Sequence, residues 1–201
     1  MVCHIVGAGE CPVLPQKEKE DLLIAADGGL DALSACGILP DLLIGDFDSL
    51  KSELPFGTET VRLPVEKDET DMEAAVRLGL ARGYREFAFY GATGGRPDHT
   101  YGNYRLLISL VKRGMKAVIH GDYSVSAVKN GTLTLPKTAC GTVSVFAVDA
   151  PAEGVTLKGL YYPLENAVLD VDTTLGVSNR VVAHPASVSV RQGCLFVMWE
   201  H

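Results

Sequence analysis

The sequence contains a set of aspartates whose positions suit the binding of a cation. Asp46 and Asp48 stand two residues apart, directly after the apolar segment at residues 42–44. Side chains at this spacing lie on the same side of an extended chain, about 6 to 7 Å apart, so both carboxylates can face one point. The other aspartates of the set follow a second apolar segment or stand at the start of a predicted helix. The full set is Asp27, Asp46, Asp48, Asp68 and Asp71.

Carboxylates gathered at one edge of a sheet repel one another unless a cation neutralises them, which makes a divalent cation the simplest explanation of the set. Ligands that are all oxygens favour Mg²⁺ over zinc or copper. The alternative is that each aspartate only caps a turn or a helix, as Asp71 could do in a first helical turn. Because Asp27, Asp46, Asp48 and Asp71 all recur at the same level of the predicted sheet, metal binding is the stronger interpretation of the set.

A glycine-rich segment at residues 90–99 follows another apolar run and precedes a predicted helix. Its small residues would let the backbone approach a phosphate chain, while Arg96 and the helix N-terminus would supply positive potential. The alternative is a plain turn between strand and helix. Such a turn does not require three ionisable residues beside the glycines, and here these are Arg96, Asp98 and His99. His99 could bind phosphate, transfer a proton or cap the helix, and the sequence leaves these options open. The segment reads Tyr90-Gly91-Ala92-Thr93-Gly94-Gly95-Arg96-Pro97-Asp98-His99.

The elements that must position these residues alternate between apolar runs and helical periods up to about residue 121. Such alternation predicts an α/β domain with a mostly parallel sheet. Thr70 followed by Glu73 predicts a capping box and a helix over residues 71–82, and a second apolar stripe predicts a helix over residues 100–113. The predicted strands are at residues 2–6, 22–26, 42–44, 86–90 and 117–120. Ligands of open parallel sheets collect at the carboxyl ends of the strands, where the aspartates and glycines lie.

After residue 121 the helical periods disappear and short strand-like runs take their place, which predicts an all-β second part. Asn130-Gly131 between two such runs predicts a hairpin, because both residues tolerate the positive φ of a type I′ turn. We therefore expect an α/β domain at residues 1–122, whose carboxyl-edge residues suit a metal ion and a phosphate chain, and an all-β domain at residues 123–201. The predicted strands of the second part are at residues 124–128, 132–135, 142–148, 167–171, 187–190 and 194–199.

Composition excludes several classes of protein. The 201 residues carry a net charge of −7, so there is no general basic field to attract nucleic acid. The five cysteines are odd in number, scattered and without C-x-x-C spacing, which argues against a disulfide framework or a structural zinc site. No apolar run approaches the length of about 20 residues that a membrane span requires, and the first ten residues lack the pattern of a signal peptide. We expect a cytoplasmic protein with neither nucleic-acid nor membrane partners.

Several short motifs, in this order, resemble those of bacterial thiamine pyrophosphokinases. The resemblance extends over nearly the whole chain, because motifs of the second half are similar as well. In the first half these are Ala25-Ala26-Asp27-Gly28-Gly29, Gly45-Asp46-Phe47-Asp48-Ser49, Asp68-Glu69-Thr70-Asp71 and Gly94-Gly95-Arg96-Pro97-Asp98-His99 with Asn103. In the second half they are Lys158-Gly159-Leu160-Tyr161-Tyr162-Pro163 and Gly176-Val177-Ser178-Asn179.

The resemblance implies the reaction of thiamine with ATP to give thiamine diphosphate and AMP. It also implies that the second domain is a β-sandwich that binds thiamine, and that a homodimer holds thiamine between the α/β domain of one subunit and the β domain of the other. Ser178 and Asn179, which composition alone would leave as loop residues, then become substrate-binding residues. Arg180 directly after them departs from the family pattern, and we expect it to point towards phosphate or solvent.

The remaining site residues take roles in this reaction by the same resemblance. Asp46, Asp48 and Asp71 would hold Mg²⁺, and Asp71 also counts among the catalytic residues. Arg96 and His99 would stabilise phosphate charge, and Asp98 would either orient Arg96 or accept the hydroxyl proton. The nucleotide would be bound by Asp27, Gly28, Gly91, Thr93, Gly94, Gly95 and Asn103.

Two other classes of protein use parts of the same pattern. A Mg²⁺-dependent phosphohydrolase or nucleotidyltransferase could employ the same carboxylates, although phosphatases with a D-x-D motif place it after the first strand rather than the third. A sensor of thiamine or nucleotide that had lost catalysis would keep the fold but would have damaged carboxylates, and here all of them are present. A different vitamin alcohol as acceptor remains open, because the acceptor pocket lies in the less specific half.

Overall fold

The structure is a computed structural model that describes residues 1–48 and 50–201. Ser49, the last residue of one of the quoted motifs, lies outside the described residues. The chain divides into two compact units. The first comprises Met1–Leu106 and Met115–Gly121, and the second comprises Leu107–Gly114 and Asp122–His201.

The first unit is built on a parallel sheet of six strands. Its strands are β1 (Val2–Val6), β2 (Leu22–Ala26), β3 (Leu42–Gly45), β4 (Glu59–Arg62), β5 (Glu86–Tyr90) and β6 (Lys116–Ile119). They are ordered β6-β5-β1-β2-β3-β4, and each neighbouring pair is parallel. The prediction of a mostly parallel α/β sheet is confirmed, with β4 as a strand that the sequence pattern missed. Because β4 is largely exposed, it lacks the apolar run by which the other strands were recognised.

Helices cover both faces of this sheet. The helices are α1 (Gly29–Ala35), α2 (Asp71–Ala81) and α3 (Pro97–Lys112). Leu30 and Leu33 of α1 pack into a core cluster with Val6, whereas Gly79 of α2 lies against Cys3. Since side chains of a strand alternate between faces, Val6 and Cys3 point to opposite sides of β1. None of the helices formed by the described residues is long and apolar enough to cross a membrane.

The helix starts agree with the capping signals in the sequence and refine them. Thr70 caps α2, and its hydroxyl accepts a hydrogen bond of 3.2 Å from the backbone N–H of Glu73, as the capping box predicts. Helix α3 begins at Pro97, three residues before the predicted start. Proline is favoured at a first helical position because its φ suits a helix and because it lacks the N–H that would be left unpaired there. Asp98 and His99 therefore belong to the first turn of α3 rather than to the loop.

The carboxyl edge of the sheet has a tight crossing of two loops between β1 and β5. Here the strand order reverses, because the chain runs from β1 to β4 on one side and returns to β5 on the other. The backbone N–H of Gly7 donates to the carbonyl of Tyr90, and that of Gly9 donates to the carbonyl of Gly91, both at 2.8 Å. A Cβ on Gly9 would lie 2.4 Å from the Thr93 carbonyl oxygen, so glycine is required for this approach. Ligands of open α/β sheets bind at such a reversal.

The second unit contains an antiparallel system organised around one long strand. Its strands are β7 (Ser124–Thr134), β8 (Cys140–Ala147), β9 (Ala152–Lys158), β10 (Leu164–Leu169), β11 (Asn179–Arg180) and β12 (Ser187–Glu200). Strand β7 pairs with β12 along its length, while the other side of β12 pairs first with β9 and then with β8. The strand β10 pairs with β9, and β11 pairs with β8. The all-β character expected after residue 121 is confirmed.

The hairpin predicted at Asn130-Gly131 is wrong. Both predicted runs belong to the single strand β7, and the runs at 187–190 and 194–199 are likewise one strand, β12. Asn130 does adopt a positive φ of 46°, but its side-chain oxygen accepts a 2.8 Å hydrogen bond from the N–H of Gly193 in β12. The register shifts between Val190 and Cys194 at this point. The positive φ therefore produces a bulge within a strand pair rather than a reversal of the chain.

Replacing Gly29 by Ala will destabilise the first unit. A Cβ at Gly29 would lie 1.9 Å from the backbone carbonyl oxygen of Val6, so α1 would have to move away from β1. We expect a loss of about 3 kcal/mol in the free energy of unfolding, measured by chemical denaturation. The control is Gly102→Ala in α3, where a Cβ meets no atom of the described residues within 4 Å. Its expected effect is a gain of about 0.5 to 1 kcal/mol from helix propensity. Equal effects of the two substitutions would contradict this account.

Candidate functional site

A cavity of about 380 Å³ opens at the carboxyl edge of the parallel sheet. It lies where loops from β1, β2, β3 and β5 meet the first turns of α2 and α3. Six of the residues predicted for the site line it: Asp27, Asp46, Asp71, Arg96, His99 and Asn103. The cavity lining among the described residues does not include Gly28, Asp48, Gly91, Thr93, Gly94, Gly95 or Asp98.

Asp46 and Asp71 converge on a shared cation, the ammonium group of Lys67. The Lys67 Nζ atom lies 2.9 Å from Asp71 Oδ1 and 3.6 Å from Asp46 Oδ2. Burial opposes the charge of Lys67, but the hydrogen bond to Asp71 and the charges of both aspartates outweigh it and raise the pKa of the ammonium group. The backbone N–H of Asp48 and the Lys67 ammonium lower the pKa of Asp46 against the effect of burial. The two carboxylates therefore face a single point at which positive charge is stabilised.

The backbone turns sharply directly after Asp46. Phe47, directly after it, has a positive φ of 61°, which is unusual for an aromatic residue. The Phe47 ring packs against the core cluster of α1, and the Arg62 guanidinium lies over it at 5.5 Å from the ring centroid. These contacts hold Phe47 in its unfavourable conformation. The strained residue thereby fixes the turn of the chain between Asp46 and Asp48.

The other aspartates of the predicted set have different surroundings. Asp27 lines the cavity with a positive φ of 45°, and its N–H donates to the Ile44 carbonyl at 2.8 Å. Asp48 is exposed, and its backbone N–H donates to Asp46 Oδ1 at 3.2 Å. Within the described residues, no three His, Cys, Asp or Glu side chains lie close enough together to hold a metal ion. Of the residues predicted as metal ligands, the structure therefore brings together Asp46 and Asp71.

The start of α3, directly after the glycine-rich loop, forms another part of the cavity wall. Arg96, His99 and Asn103 line it, with His99 and Asn103 one helical turn apart on the same face. The side-chain amide of Asn103 donates to the Ala92 carbonyl at 2.7 Å, which fastens the loop to the helix. The residues of the loop with positive φ are Gly91, Gly94 and Gly95. The loop conformation therefore depends on glycine at these positions.

Asp98 forms a bidentate ion pair with Arg96 at the rim. Arg96 Nε lies 3.2 Å from Asp98 Oδ1, and Arg96 Nη2 lies 2.6 Å from Asp98 Oδ2. The hydrogen bonds from Arg96 lower the pKa of Asp98 to about 2. Both side chains are largely exposed, so the pair adds little to stability but holds the guanidinium in a defined direction.

Sequence reasoning missed Lys67 and the Gly7-Ala8 turn, which also line the cavity. The signal for Lys67 was its position four residues before Asp71, just ahead of the capping box. The sequence around Lys67 does not show that its side chain faces the cavity, because only the fold brings Asp46 close to it. Gly7-Ala8-Gly9 directly follows β1, and this position at the carboxyl end of a central strand could have marked it.

In the second unit, Asn179 and Ser178 have contrasting environments. Asn179 is only 4% exposed, and its amide donates to the Tyr162 carbonyl at 2.7 Å. Its side-chain oxygen accepts 2.9 Å hydrogen bonds from the N–H groups of Tyr162 and Arg180. Ser178 is exposed with a positive φ of 58°, and its N–H donates to the Ser144 hydroxyl. Asn179 thus fixes the loop that presents Ser178.

A second, largely apolar cavity of about 280 Å³ adjoins this loop. It is lined by Leu157, Tyr162, Leu164, Leu175, Val177 and Asn179. Arg180 is exposed, and its guanidinium lies 4.0 Å from the centroid of the Tyr161 ring, which is the geometry of a cation–π contact. The ring of Tyr161 in turn meets that of Tyr162 edge to face. Arg180 therefore packs along the surface beside the cavity.

A parallel α/β sheet with an acidic cavity at its carboxyl edge, next to a glycine-rich turn and a helix N-terminus, is typical of enzymes that handle nucleotides and phosphates. Comparison with known families agrees with this class. The model of the thiamin pyrophosphokinase catalytic domain matches residues 15–119, and that of the thiamin pyrophosphokinase vitamin B1 binding domain matches residues 132–195. The chain belongs to the thiamin pyrophosphokinase family.

Individual relatives are similar over almost the entire chain. A thiamine pyrophosphokinase of Bacillus subtilis is 28% identical over 206 residues, covering 97% of this chain and 96% of the relative. The crystal structure of a thiamine pyrophosphokinase from Bacillus subtilis has a TM-score of 0.88 at 26% identity, with 100% of this chain and 99% of the other covered. That of the thiamin pyrophosphokinase from Geobacillus thermodenitrificans has a TM-score of 0.83 at 30% identity, with 100% and 98% covered.

These similarities establish the activity. The protein is an enzyme that transfers a diphosphate group from ATP to thiamine and forms thiamine diphosphate. Members of this family use ATP and typically a divalent metal. The resemblance identified in the sequence motifs is thereby confirmed.

Replacing Asn179 by Ala will weaken the fold of the second unit. The substitution removes three hydrogen bonds made by the buried Asn179 amide and leaves the backbone N–H and carbonyl of Tyr162 without their side-chain partner. We expect a loss of about 2 kcal/mol in the free energy of unfolding, measured by chemical denaturation. Ser178→Ala is the matched control, with an expected change within about 0.5 kcal/mol, because the exposed hydroxyl is not needed for folding. If Asn179→Ala were as stable as the wild type, the structural role of its amide would be refuted.

Proposed function

We propose that diphosphate transfer takes place in the cavity at the carboxyl edge of the first unit, with Asp46 and Asp71 as the centre that holds the metal. The observation that carries this proposal is that both carboxylates face one cation, the Lys67 ammonium. Two carboxylates that share a cation at this position are arranged to accept a divalent ion in its place. The cavity is also lined by Arg96, whose guanidinium supplies positive charge for a polyphosphate, and by His99, whose ring can donate a hydrogen bond to one.

The residues fit a hard divalent cation, and we propose Mg²⁺. The ligands that we assign are carboxylate oxygens, which Mg²⁺ prefers, rather than the thiolate and imidazole ligands that are typical of zinc or copper. Asp46 and Asp71 would be direct ligands, and Asp48 would join them by a change of its exposed side chain. When bound, the ion neutralises phosphate charge and fixes the orientation of the diphosphate group.

The reaction forms a bond between the thiamine hydroxyl oxygen and the β-phosphorus of ATP. It breaks the bond from that phosphorus to the bridging oxygen of the α-phosphate, which leaves as AMP, and the hydroxyl proton passes to the solvent. Phosphoryl transfer needs positioning and charge neutralisation more than covalent chemistry from the protein. Arg96 and His99 stabilise the charge on the transferred phosphates. The bidentate pair with Arg96 supports the orienting role for Asp98 rather than that of a base, since a carboxylate with a pKa of about 2 accepts protons poorly at neutral pH.

The nucleotide lies, in this proposal, along the glycine-rich loop and the first turn of α3. The positive φ values of Gly91, Gly94 and Gly95 give the loop a backbone conformation that other residues rarely adopt. We assign Thr93, in the glycine-rich loop, and Gly28, directly after Asp27, to the same nucleotide-binding set. Asp27 supports the metal or the nucleotide from the end of β2. Asn103 acts by fastening the loop, as its bond to Ala92 supports.

We assign thiamine binding to the second unit, with the functional boundary near residue 122, so that residues 1–122 form the catalytic domain and residues 123–201 the thiamine-binding domain. A β-sandwich is the arrangement that we infer for it. In support, β12 changes its neighbour from β9 to β8 across the bulge at residues 190–194, as a strand shared by two layers does. The apolar cavity beside Asn179 suits an aromatic ring, and Ser178 at its rim can offer a hydroxyl to the substrate.

The proposal includes a homodimer in which each thiamine site is completed by a second copy of the chain. Large apolar side chains around the second cavity support it, because Leu175 and Tyr162 are each 63% exposed and Val182 is 56% exposed. Exposed apolar clusters of this kind mark interaction surfaces. The five cysteines are free thiols, which supports the proposed location in the reducing cytoplasm.

Asp46→Asn and Asp71→Asn will each reduce the rate of thiamine diphosphate formation by about 100-fold at saturating MgCl₂, because each removes one charged ligand of the cation. The measurement is the rate at which thiamine diphosphate and AMP appear by mass spectrometry. Glu73→Gln, an exposed carboxylate in the first turn of α2, is the control and will keep wild-type activity. Turnover near the wild-type rate in both aspartate variants would refute the assignment.

Light scattering coupled to size exclusion will give the wild-type protein a mass about twice the 21.5 kDa of one chain. Leu175→Lys places a charge in the exposed apolar cluster, and we expect it to yield a monomer with lost transferase activity. Leu39→Lys, at a leucine that is 71% exposed in the first unit, serves as control and will remain dimeric. A monomeric and active wild-type protein would contradict the shared site.

A further inference from the structure

The Lys67 ammonium group is surrounded by oxygen atoms, much as a bound metal ion would be. Asp71 Oδ1 lies at 2.9 Å, the Pro64 carbonyl oxygen at 3.5 Å and Asp46 Oδ2 at 3.6 Å. The side chain of Lys67 is only 13% exposed although it lies outside the helices and strands. A lysine with this little exposure is uncommon unless it is paired. Here the pairing uses the two carboxylates that we assign to the metal.

We propose that Lys67 is an internal substitute for the divalent cation, which occupies the place between Asp46 and Asp71 until metal and nucleotide bind together and displace it. This inference rests on the proposed function, because it requires Asp46 and Asp71 to be the metal ligands. It makes Lys67 a positioning residue that controls the order of binding. In the absence of substrate it holds the two carboxylates in place and neutralises their repulsion.

The displacement follows from the electrostatics of the cavity. A divalent ion and an ammonium group cannot both lie within about 4 Å of the same two carboxylates without strong mutual repulsion. Metal alone must therefore move the Lys67 ammonium away from Asp46 and Asp71. Glu69, a carboxylate that lines the same cavity, is already paired with Arg77. The flexible four-carbon stem of lysine permits this movement.

The phosphates of ATP favour the displacement of Lys67 by the metal ion. They bring new anionic oxygens into the cavity, and the displaced ammonium can pair with these instead of Asp46 and Asp71. Metal and nucleotide then favour each other's binding, and by linkage each must raise the affinity for the other by the same factor. The enzyme would thus avoid loading the metal without its substrate.

The test is a calorimetric titration of Mn²⁺ into wild-type protein and Lys67→Gln, each with and without a non-hydrolysable ATP analogue. We expect Lys67→Gln to bind Mn²⁺ alone about tenfold more tightly than the wild type, and the analogue to improve its metal affinity less. Lys116→Gln is the matched control. Lys116 pairs with the single carboxylate of Glu86 at the opposite edge of the sheet, and its loss should leave both affinities unchanged.

Asp46→Asn separates this inference from the proposed function. If Asp46→Asn binds Mn²⁺ as tightly as the wild type, the proposed metal site itself is wrong. If Asp46→Asn loses metal but Lys67→Gln binds it no better than the wild type, the metal site stands and the role of Lys67 is refuted.

A second measurement uses the wild-type protein and covers the case in which Lys67→Gln does not fold. Lysine acetylation by acetic anhydride is followed residue by residue by mass spectrometry, with and without saturating Mn²⁺. Lys67 should react slowly in the metal-free protein and several-fold faster with Mn²⁺, while Lys116 should not change. Equal reactivity of Lys67 in both states would overturn the proposal.

Discussion

Repulsion between carboxylates at one edge of a sheet is the constraint on which the rest of this site depends. Asp46 and Asp71 come from different elements, the end of β3 and the first turn of α2, and the fold brings them to one point. Two like charges there are tolerated only if a cation lies between them. In this structure the cation is Lys67, and in the working enzyme we propose that it is a metal ion. In this account the acidic site is stable in both states, because either the Lys67 ammonium or the metal ion neutralises the two carboxylates.

Backbone geometry provides the rigidity that such a site requires. Phe47 is held at a positive φ by its packing against the core and by Arg62, so the turn of the chain directly after Asp46 is fixed without any contact to a ligand. Gly45 plays a related part, because a Cβ there would lie 3.1 Å from the Cα of Asp27. On the other wall, Asn103 fastens the glycine-rich loop to α3. The strain and the close contacts lie in the loops that carry the chemistry, and the buried strands beneath them carry the stability.

Much of the first unit could be predicted from the sequence because its signals are local. The strands β1, β2 and β5 are continuous apolar runs with turn residues at their ends, and the cap of α2 needs only Thr70 and Glu73. The meeting of Asp27, Asp46 and Asp71 at one cavity follows from the rule that the carboxyl ends of parallel strands share an edge. The position of Asp48 could not be predicted in this way. Spacing of two places it beside Asp46 only if the chain stays extended, and the positive φ of Phe47 turns the chain at that point.

The strand pairing of the second unit was harder to predict from the sequence, also for a physical reason. Asn130-Gly131 has the same preference for positive φ in a hairpin and in a bulge, and only the long-range pairing with β12 decides between them. Lys67 presents the same problem, since its role depends on Asp46, which lies 21 positions before it in the chain. The family resemblance supplied what local patterns could not, namely the reaction and the proposed role of Ser178 and Asn179 in binding the substrate.

The most direct test of the account is the location of Mn²⁺ by anomalous scattering in crystals grown with an ATP analogue. The account predicts an anomalous peak within coordination distance of the carboxylate oxygens of Asp46 and Asp71, with the Lys67 ammonium moved away from both. A peak elsewhere in the molecule, with Lys67 still bridging Asp46 and Asp71, would contradict the claim that these two carboxylates hold the catalytic metal.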